Sequence, residues 1–448
     1  MRNKFIKTLL LMLVAFFAIV LVGCGTNEPE KKDDPIDNNG GDNNGGENNG
    51  GENNGGETVD KGTYTIKVVD YDGKEIGNKT IEVGKYENVY LALQGEFKTV
   101  GSIGDYGAWL VSINDSLCDS NWSLMFYENG QMAANTCDKV APAKDAVYEF
   151  KNECWAAVDY GYGASFDEID VLLDKVIYNY VKTTLKEVVE GTKTYTGSTY
   201  WEMLFIDLFK RAGYTASMVD YKFSSELAAE IEAVDVSTLE GANIGKYYSH
   251  AKALGKVAEG FASAYEAKLS AVESWNDWVT PFVVFPAKDL NSTNEKLAVL
   301  ASEAITGDTT WGPDGNLWKL TAQALFADRS EALDLKSYVD TWDSKSQYGT
   351  NTSNAIVLLA ASALNQDVRD TEKFGKFTYN EKEYDYLAYM FAKFYSEELG
   401  LMKVTEADTA ANASTNQIYC GLLAYKVMRD SKKAANIFGT AYEAPTAE

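Results

Sequence analysis

Apolar runs in the second half of the chain are each preceded by a short polar phrase containing Ser, Thr or Asn. The copies lie at 414–417, 352–354 and 292–294, with weaker ones at 241–243 and 198–200. Their third residues, at 200, 243, 294, 354 and 416, are 43, 51, 60 and 62 residues apart. Side chains of these types cap helix N-termini, and each interval has room for two helices and their loops. The pattern therefore predicts a repeat of helical hairpins.

The stretch 61–155 has a different pattern, in which apolar and polar residues alternate. Tyr64, Ile66 and Val68 alternate with polar neighbours, and Asp72 and Gly73 then supply a hairpin turn. Further short runs typical of strands lie at 107–114, 122–127 and 147–150. We expect a multi-domain α and β protein, with a small β-rich, β-grasp-like domain at 61–155 and a helical domain at 160–440.

The first 23 residues have the pattern of a bacterial export signal. Basic residues precede an apolar segment, 9–22, that is shorter than the roughly 20 residues a membrane-spanning helix needs. The segment ends in Leu21-Val22-Gly23-Cys24, which resembles the lipobox of bacterial lipoproteins. The resemblance implies that 1–23 is removed and that acylated Cys24 anchors the protein to the membrane at the cell surface. An ordinary secretory signal with a chance cysteine is the alternative.

The composition of the chain indicates a tether, argues against one class of partner and allows one disulfide. Residues 24–60 are mostly Asn, Gly, Glu and Asp, which cannot build a core, so we expect a disordered tether. The chain has 41 basic and 66 acidic residues, a net charge of −25, so a nucleic acid partner is not expected. Cys118 and Cys137 allow one disulfide outside the cytoplasm, but buried free thiols are an equal alternative.

The β-rich stretch also contains a spaced set of residues: Gly107, Leu110, Ser112, Ile113, Trp122, Tyr127, Asn129 and Gly130. This set resembles the C-terminal β-domain of transcobalamin and intrinsic factor, in the form found on bacterial surface proteins. The resemblance implies that the hairpin at 127–131 reaches towards a ligand, which makes Tyr127, Asn129 and Gln131 candidate contacts. Without the resemblance, Trp122 and Tyr127 could equally be sheet core, and Asn129-Gly130 only a turn.

Small residues such as Ala298, Ala360 and Ala424 follow the helix starts and allow close helix packing. This layout resembles the α/α toroid of terpenoid cyclases and protein prenyltransferases, which the helical domain of transcobalamin shares. The resemblance implies that inner helices begin around one mouth. The candidate ligand contacts are then Asn243, Asn294, Asn354, Asn416 and Gln417, with Trp311 in an aromatic-rich loop. The alternative is that the amides only cap helices and that the tryptophan is core.

Catalytic motifs of the enzymes on this fold are missing from the sequence. The helical region has no Asp-x-Asp-Asp run, and His250 is the chain's one histidine, without a neighbouring cysteine for zinc. A polysaccharide lyase that uses His250 with Tyr247 or Tyr248 is the enzymatic alternative. A lone histidine on a helix is more often structural than a catalytic base.

The sequence therefore favours a non-enzymatic lipoprotein that binds a small molecule between the β-domain and the helical toroid. The resemblance to transcobalamin implies a corrinoid such as cobalamin as bound ligand, and delivery to a membrane importer. No metal site or further cofactor is expected. The domain order is the reverse of that in the animal carriers. A surface adhesin without a small ligand is a third possibility.

Overall fold

The structure, a computed structural model, covers most of the β-rich stretch and much of the helical region. It describes residues 62–157, 166–189, 200–214, 229, 231–241, 243–253, 255–274, 276, 280–300, 321, 335–336, 351–408 and 416–438. The expected export signal, Cys24, the tether and Trp311 lie outside the described residues. The side chain of His250 does too.

The alternating segments form a five-stranded sheet in the order β2-β1-β7-β5-β6. Its strands are β1 Thr63–Val69, β2 Glu75–Glu82, β5 Trp122–Glu128, β6 Gln131–Met132 and β7 Val147–Cys154. β1 pairs antiparallel with β2 and parallel with β7. Tyr64, Ile66 and Val68 are buried on one face of β1, as the period-two pattern predicts.

Helix α1, Val89–Glu96, and a separate hairpin complete this region. The hairpin consists of β3 Thr99–Gly104 and β4 Gly107–Ile113. The Asn88 side chain caps α1 by accepting a hydrogen bond from the Leu91 amide. Leu93 of α1 and Ile113 of β4 are buried in the same core as the sheet. The β-rich region thus has a hydrophobic core of its own.

Besides partly described helical stretches such as 296–300, the described part of the helical region contains ten helices with defined bounds. They are α2 Glu168–Thr183, α3 Lys186–Val189, α4 Tyr200–Arg211, α5 Asn243–Ala253, α6 Phe261–Ser270, α7 Thr280–Asp289, α8 Asn351–Leu364, α9 Thr371–Phe374, α10 Tyr386–Phe394 and α11 Asn416–Ser431. Two short antiparallel pairs lie between them, β8 Phe377–Tyr379 with β9 Lys382–Tyr384 and β10 Tyr395–Ser396 with β11 Leu401–Met402. The expectation of a mixed α and β protein is confirmed.

Helix α11 runs parallel to α8 and α4 and is almost entirely buried. Near its start, Gly421 lies against Ala355 of α8, and past its end the Ala435 amide donates to Ser362 O of α8, 2.9 Å away. Asn416 likewise contacts the first turn of α4, while Asn436 contacts its last turn. Because α4, α8 and α11 point the same way, their N-termini lie at one end of this layer.

Helix α2 packs on α11 in the opposite direction. Tyr180, near the end of α2, bonds to Asn416 at the start of α11, while Asp170 near the start of α2 reaches Arg429 near the end of α11. Helix α2 therefore lies antiparallel to the layer formed by α4, α8 and α11.

Three of the predicted helix starts coincide with observed ones, and that of α8 does not. Helices α4, α5 and α11 begin at Tyr200, Asn243 and Asn416. Helix α8 begins at Asn351, three residues before the predicted Asn354. The Asn351 amide donates to Val404 O at 2.8 Å, and its side chain donates to Lys403 O at 2.9 Å. These contacts with the chain after β11 hold the additional residues in place at the start of the helix.

Candidate functional site

Exposed large apolar side chains are concentrated in the β-rich region. Within the described parts of the chain, this region holds Leu91, Val100, Ile103, Tyr106, Trp109 and Met132. Ile103, Tyr106 and Trp109 all lie at or near the turn between β3 and β4, with exposed fractions of 56%, 59% and 50%. Ile103 opposes Ala108 and Trp109 opposes Ser102, so Ile103 and Trp109 project from opposite sides of the hairpin. We call Trp109 and the turn residue Tyr106 the hairpin face.

The hairpin that carries this face is held firmly to its own domain. The Ala108 amide donates to Asp138 Oδ1 at 2.7 Å. Burial would raise the pKa of Asp138, but its interactions with Thr136 and with this amide hold it below its ordinary value. Gly107 has a φ of 108°, and a Cβ there would collide with Thr136. The aromatic side chains are therefore displayed on an anchored backbone.

The second hairpin, between β5 and β6, contains the three contacts suggested by the transcobalamin resemblance. The Tyr127 hydroxyl donates to Glu153 at 2.6 Å, and Lys151 Nζ lies 4.7 Å from the ring centroid. Asn129, at φ 51°, accepts a hydrogen bond from the Val147 amide at 2.9 Å, so it shapes the turn. Gln131 is exposed.

Both hairpin tips lie at the end of the sheet far from the helices. Strand β5 starts at Trp122, whose ring centroid is 6.0 Å from that of Tyr178 in α2. Its seven residues span about 20 Å, which sets the distance to the β5–β6 turn. Strand β4 runs the opposite way, from the hairpin face towards Ser116, whose hydroxyl donates to Asp70 at 2.6 Å. Asp70 in turn pairs with Lys182 of α2.

The helix-start amides have different environments. Asn416 Oδ1 accepts from the Tyr180 hydroxyl at 2.8 Å, and its Nδ2 donates to Glu202 Oε1 at 2.9 Å. Asn354 Oδ1 accepts from the Tyr386 hydroxyl at 2.7 Å. Both asparagines are buried, so these amides bond within the protein at neighbouring helix starts. No sequence pattern marked their tyrosine partners.

The other predicted contacts do not join this pair in the described structure. Asn294 Nδ2 donates to Ser270 Oγ at 2.8 Å, at the end of α6, and its Oδ1 accepts from the Lys296 amide at 3.0 Å. Asn243 is exposed and Gln417 is half-buried. Of the predicted set, the structure therefore places Asn354 and Asn416 near the starts of two adjacent parallel helices, and Asn294 in a local cap.

The tyrosines of the lyase hypothesis are part of the packing around α5 to α7. Tyr247 and Tyr248 are 5% and 7% exposed. The Tyr247 hydroxyl accepts from the Ala258 amide at 3.2 Å, while the Tyr248 hydroxyl donates to Asp289. Burial, together with that hydrogen bond, raises the pKa of Tyr248. Both hydroxyls are thus used within the fold.

The contact between the two regions is built around ion pairs whose residues were not among the predicted site residues. Lys426 of α11 lies 2.9 Å from Asp119 Oδ2 of the β-rich region and 2.9 Å from Asp174 Oδ1 of α2. We call Asp119, Asp174, Lys426, Arg429 and Asp430 the charge cluster. Arg429 Nη2 approaches Asp174 at 2.7 Å and Asp430 at 2.8 Å.

Aromatic rings pack around the charge cluster. The Trp122 indole donates to Asp174 Oδ2 at 2.8 Å, and Tyr71 and Tyr178 meet Trp122 edge to face. Trp122 is 2% exposed. At this contact the two regions share a filled core rather than an open cleft.

Other site types can be assessed within the same residues. No disulfide links the cysteines at 118, 137, 154 and 420, which answers the question left open by the sequence. No group of three or more His, Cys, Asp or Glu in the described chain could hold a metal ion. Among the described helices, none has the length and apolar content needed to cross a membrane.

Comparison with known proteins adds little. No family profile and no curated protein matches the chain. The crystal structure of a "putative metal binding protein" from Ruminococcus gnavus is similar over 20% of this chain and 95% of that chain, with 16% sequence identity and a TM-score of 0.19. A likeness of this size carries no argument about fold or function.

Proposed function

We propose that the protein is a non-enzymatic binding lipoprotein, tethered through Cys24 outside the cytoplasm, that captures a small molecule on the hairpin face. The observation that supports this most directly is the exposure of Tyr106 and Trp109 on an anchored hairpin. The exposed Trp109 ring, with Tyr106 at the neighbouring turn, suits a ligand that has a flat or apolar surface.

The arrangement of strands and helices supports the proposed architecture of a β-grasp-like domain followed by a helical toroid. A β1–β2 hairpin, a helix and a parallel β1–β7 pair fit a β-grasp-like domain. The parallel α4, α8 and α11, with α2 antiparallel outside them, fit a toroid of helical hairpins. On this reading the ligand class is the one implied by transcobalamin, a corrinoid such as cobalamin, delivered to a membrane importer.

The proposed location differs from the cleft expected from the sequence. The contact around Trp122 is filled by side chains from both regions. The β5–β6 turn with Asn129 and Gln131 lies at the same end of the sheet as the hairpin face. We therefore place the ligand at that end, where Gln131 and Met132 are also exposed.

Titration with cobalamin tests both the ligand and its location. We expect a calorimetric and spectral change with the unaltered protein, and about fivefold to thirtyfold weaker binding for Trp109→Ala, since stacking on one ring contributes about 1–2 kcal/mol. The control is Val299→Ala, which removes an exposed apolar side chain, 46% accessible, from the helical region. Binding that is unaffected by Trp109→Ala would exclude the hairpin face.

The corrinoid ligand and the lipid anchor are separate parts of the proposal, and separate experiments test them. No response to cobalamin at micromolar concentration would remove the corrinoid while leaving the surface open to another flat ligand. Cys24→Ser should release the protein from the membrane fraction. Continued membrane attachment of that variant would contradict the lipid anchor.

A further inference from the structure

Lys426 occupies an unusual position for a lysine. Its side chain is fully buried, on a helix that runs through the core. Besides the contacts with Asp119 and Asp174, its Nζ lies 3.0 Å from Asp430 Oδ2. The Tyr214 ring centroid is 4.7 Å away and that of Tyr178 is 5.7 Å away. An amine and carboxyl groups are thus held in contact in a site that excludes water.

The three carboxyl groups around this amine are not equivalent. Asp174 accepts hydrogen bonds from Trp122 and Arg429 as well as from Lys426. Asp430 accepts from the Tyr214 hydroxyl at 2.7 Å. Both carboxyl groups are therefore stabilised by hydrogen bonds from protein donors.

Asp119 differs because only one of its oxygens is well bonded. Its Oδ1 accepts from the amides of Asn121 and Trp122, at 2.7 and 3.1 Å. Its Oδ2 lies 2.9 Å from Lys426 Nζ but receives no directed hydrogen bond. Burial, reinforced by Asp174 and opposed by Lys426, raises the pKa of Asp119 to about 6. A carboxyl group that is easily protonated is the best acyl partner for an amine.

We propose that Lys426 and Asp119 condense into an isopeptide bond that ties the β-rich region covalently to helix α11. The ammonium of Lys426 first gives one proton to the Asp119 carboxylate. The free amine then attacks Cγ of Asp119, and the C–N bond forms. The C–O bond breaks with transfer of a second amine proton to the leaving hydroxyl, through the neighbouring Asp174 carboxylate. One ammonium and one carboxylate become one amide and one water.

The thermodynamically unfavourable part of this reaction is the first proton transfer. Burial lowers the pKa of Lys426, but Asp119, Asp174 and Asp430 together hold it well above its ordinary value. The bond needs to form only once in the life of each molecule, and a dry site does not supply water for the reverse reaction. The arrangement therefore requires proximity and exclusion of water rather than fast turnover.

A second lysine across the same contact provides a matched control. Lys182 of α2 pairs with Asp70 of the β-rich region, whose Oδ1 accepts from Ser116. The Lys182 side chain is 21% exposed, whereas that of Lys426 is 0% exposed. Water reaches this pair, so it should stay ionic.

Mass spectrometry of the purified full chain decides between a bond and an ion pair. After proteolysis we expect a cross-linked peptide that contains Asp119 and Lys426 and is lighter than the two peptides together by one water. Asp119→Ala and Lys426→Arg should lose it, and Lys182→Arg should keep it. Separate, unmodified Asp119 and Lys426 peptides from protein whose circular dichroism shows an intact fold would overturn the proposal.

Discussion

Replacing Trp122 with Phe removes one hydrogen-bond donor from the buried contact between the two regions. The indole N–H lies 2.8 Å from Asp174 Oδ2, and Asp174 is fully buried. A hydrogen bond to a charged group contributes about 1.5–3 kcal/mol, and the smaller ring leaves space in a site with 2% exposure. Together these two effects should lower the unfolding free energy by about 2–4 kcal/mol. The loss is not larger because Lys426 and Arg429 still stabilise Asp174.

Urea unfolding followed by far-ultraviolet circular dichroism measures this loss. The matched control is Trp155→Phe, because the Trp155 indole donates to the neutral Ser120 carbonyl at 2.9 Å in a more exposed place. The control should cost less than about 1 kcal/mol, which is usual for a neutral surface bond. Equal losses in both variants would refute the view that the Asp174 bond stabilises the contact.

Three other changes test the helical region, all measured by the same unfolding assay. Gly421→Ala should cost about 2–3 kcal/mol despite better helix propensity, because the new Cβ would lie 2.6 Å from a backbone oxygen of α8; an unchanged midpoint would contradict that close approach. Tyr386→Phe should cost about 1–3 kcal/mol by leaving the buried Asn354 oxygen without its donor; a neutral result would mean that the amide has another partner. Arg369 holds the pKa of Asp167 below its ordinary value by hydrogen bonding. That stabilisation is present above about pH 4 and is lost as the pH falls through the lowered pKa. Because Asp167 is 55% exposed and water screens the pair, Arg369→Met should cost roughly 1 kcal/mol at neutral pH and less in acid; a cost independent of pH would contradict the assignment.

Local patterns predicted the elements well where one periodicity dominated. The alternation at Tyr64, Ile66 and Val68 predicted β1, and the polar phrase at 414–417 predicted the start of α11. The start of α8 was misplaced because Asn351 is held by the chain after β11, a contact distant in sequence. Helix propensity is a local property and does not report contacts between residues distant in sequence.

The candidate site was harder to predict than the fold, for a specific reason. An Asn at a helix start can cap the helix, meet a ligand or bond to a core side chain. Asn354 and Asn416 do the last, through Tyr386 and Tyr180. The tyrosine partners come from other helices, at separations of 32 and 236 residues. The hairpin face was missed because an exposed tryptophan and a buried one look alike in sequence.

A usable signal for the charge cluster was nevertheless present in the sequence. Asp170 and Asp174 are four residues apart on α2, and Lys426 and Arg429 are three apart on the otherwise apolar α11. Each pair lies on one face of its helix. Acids on one helix and bases on another, both within apolar surroundings, are costly to bury unless they meet. Matching them in reverse order, Asp170 with Arg429 and Asp174 with Lys426, yields the observed antiparallel contact. That pairing would have identified the position where the β-rich region docks, since Asp119 completes it.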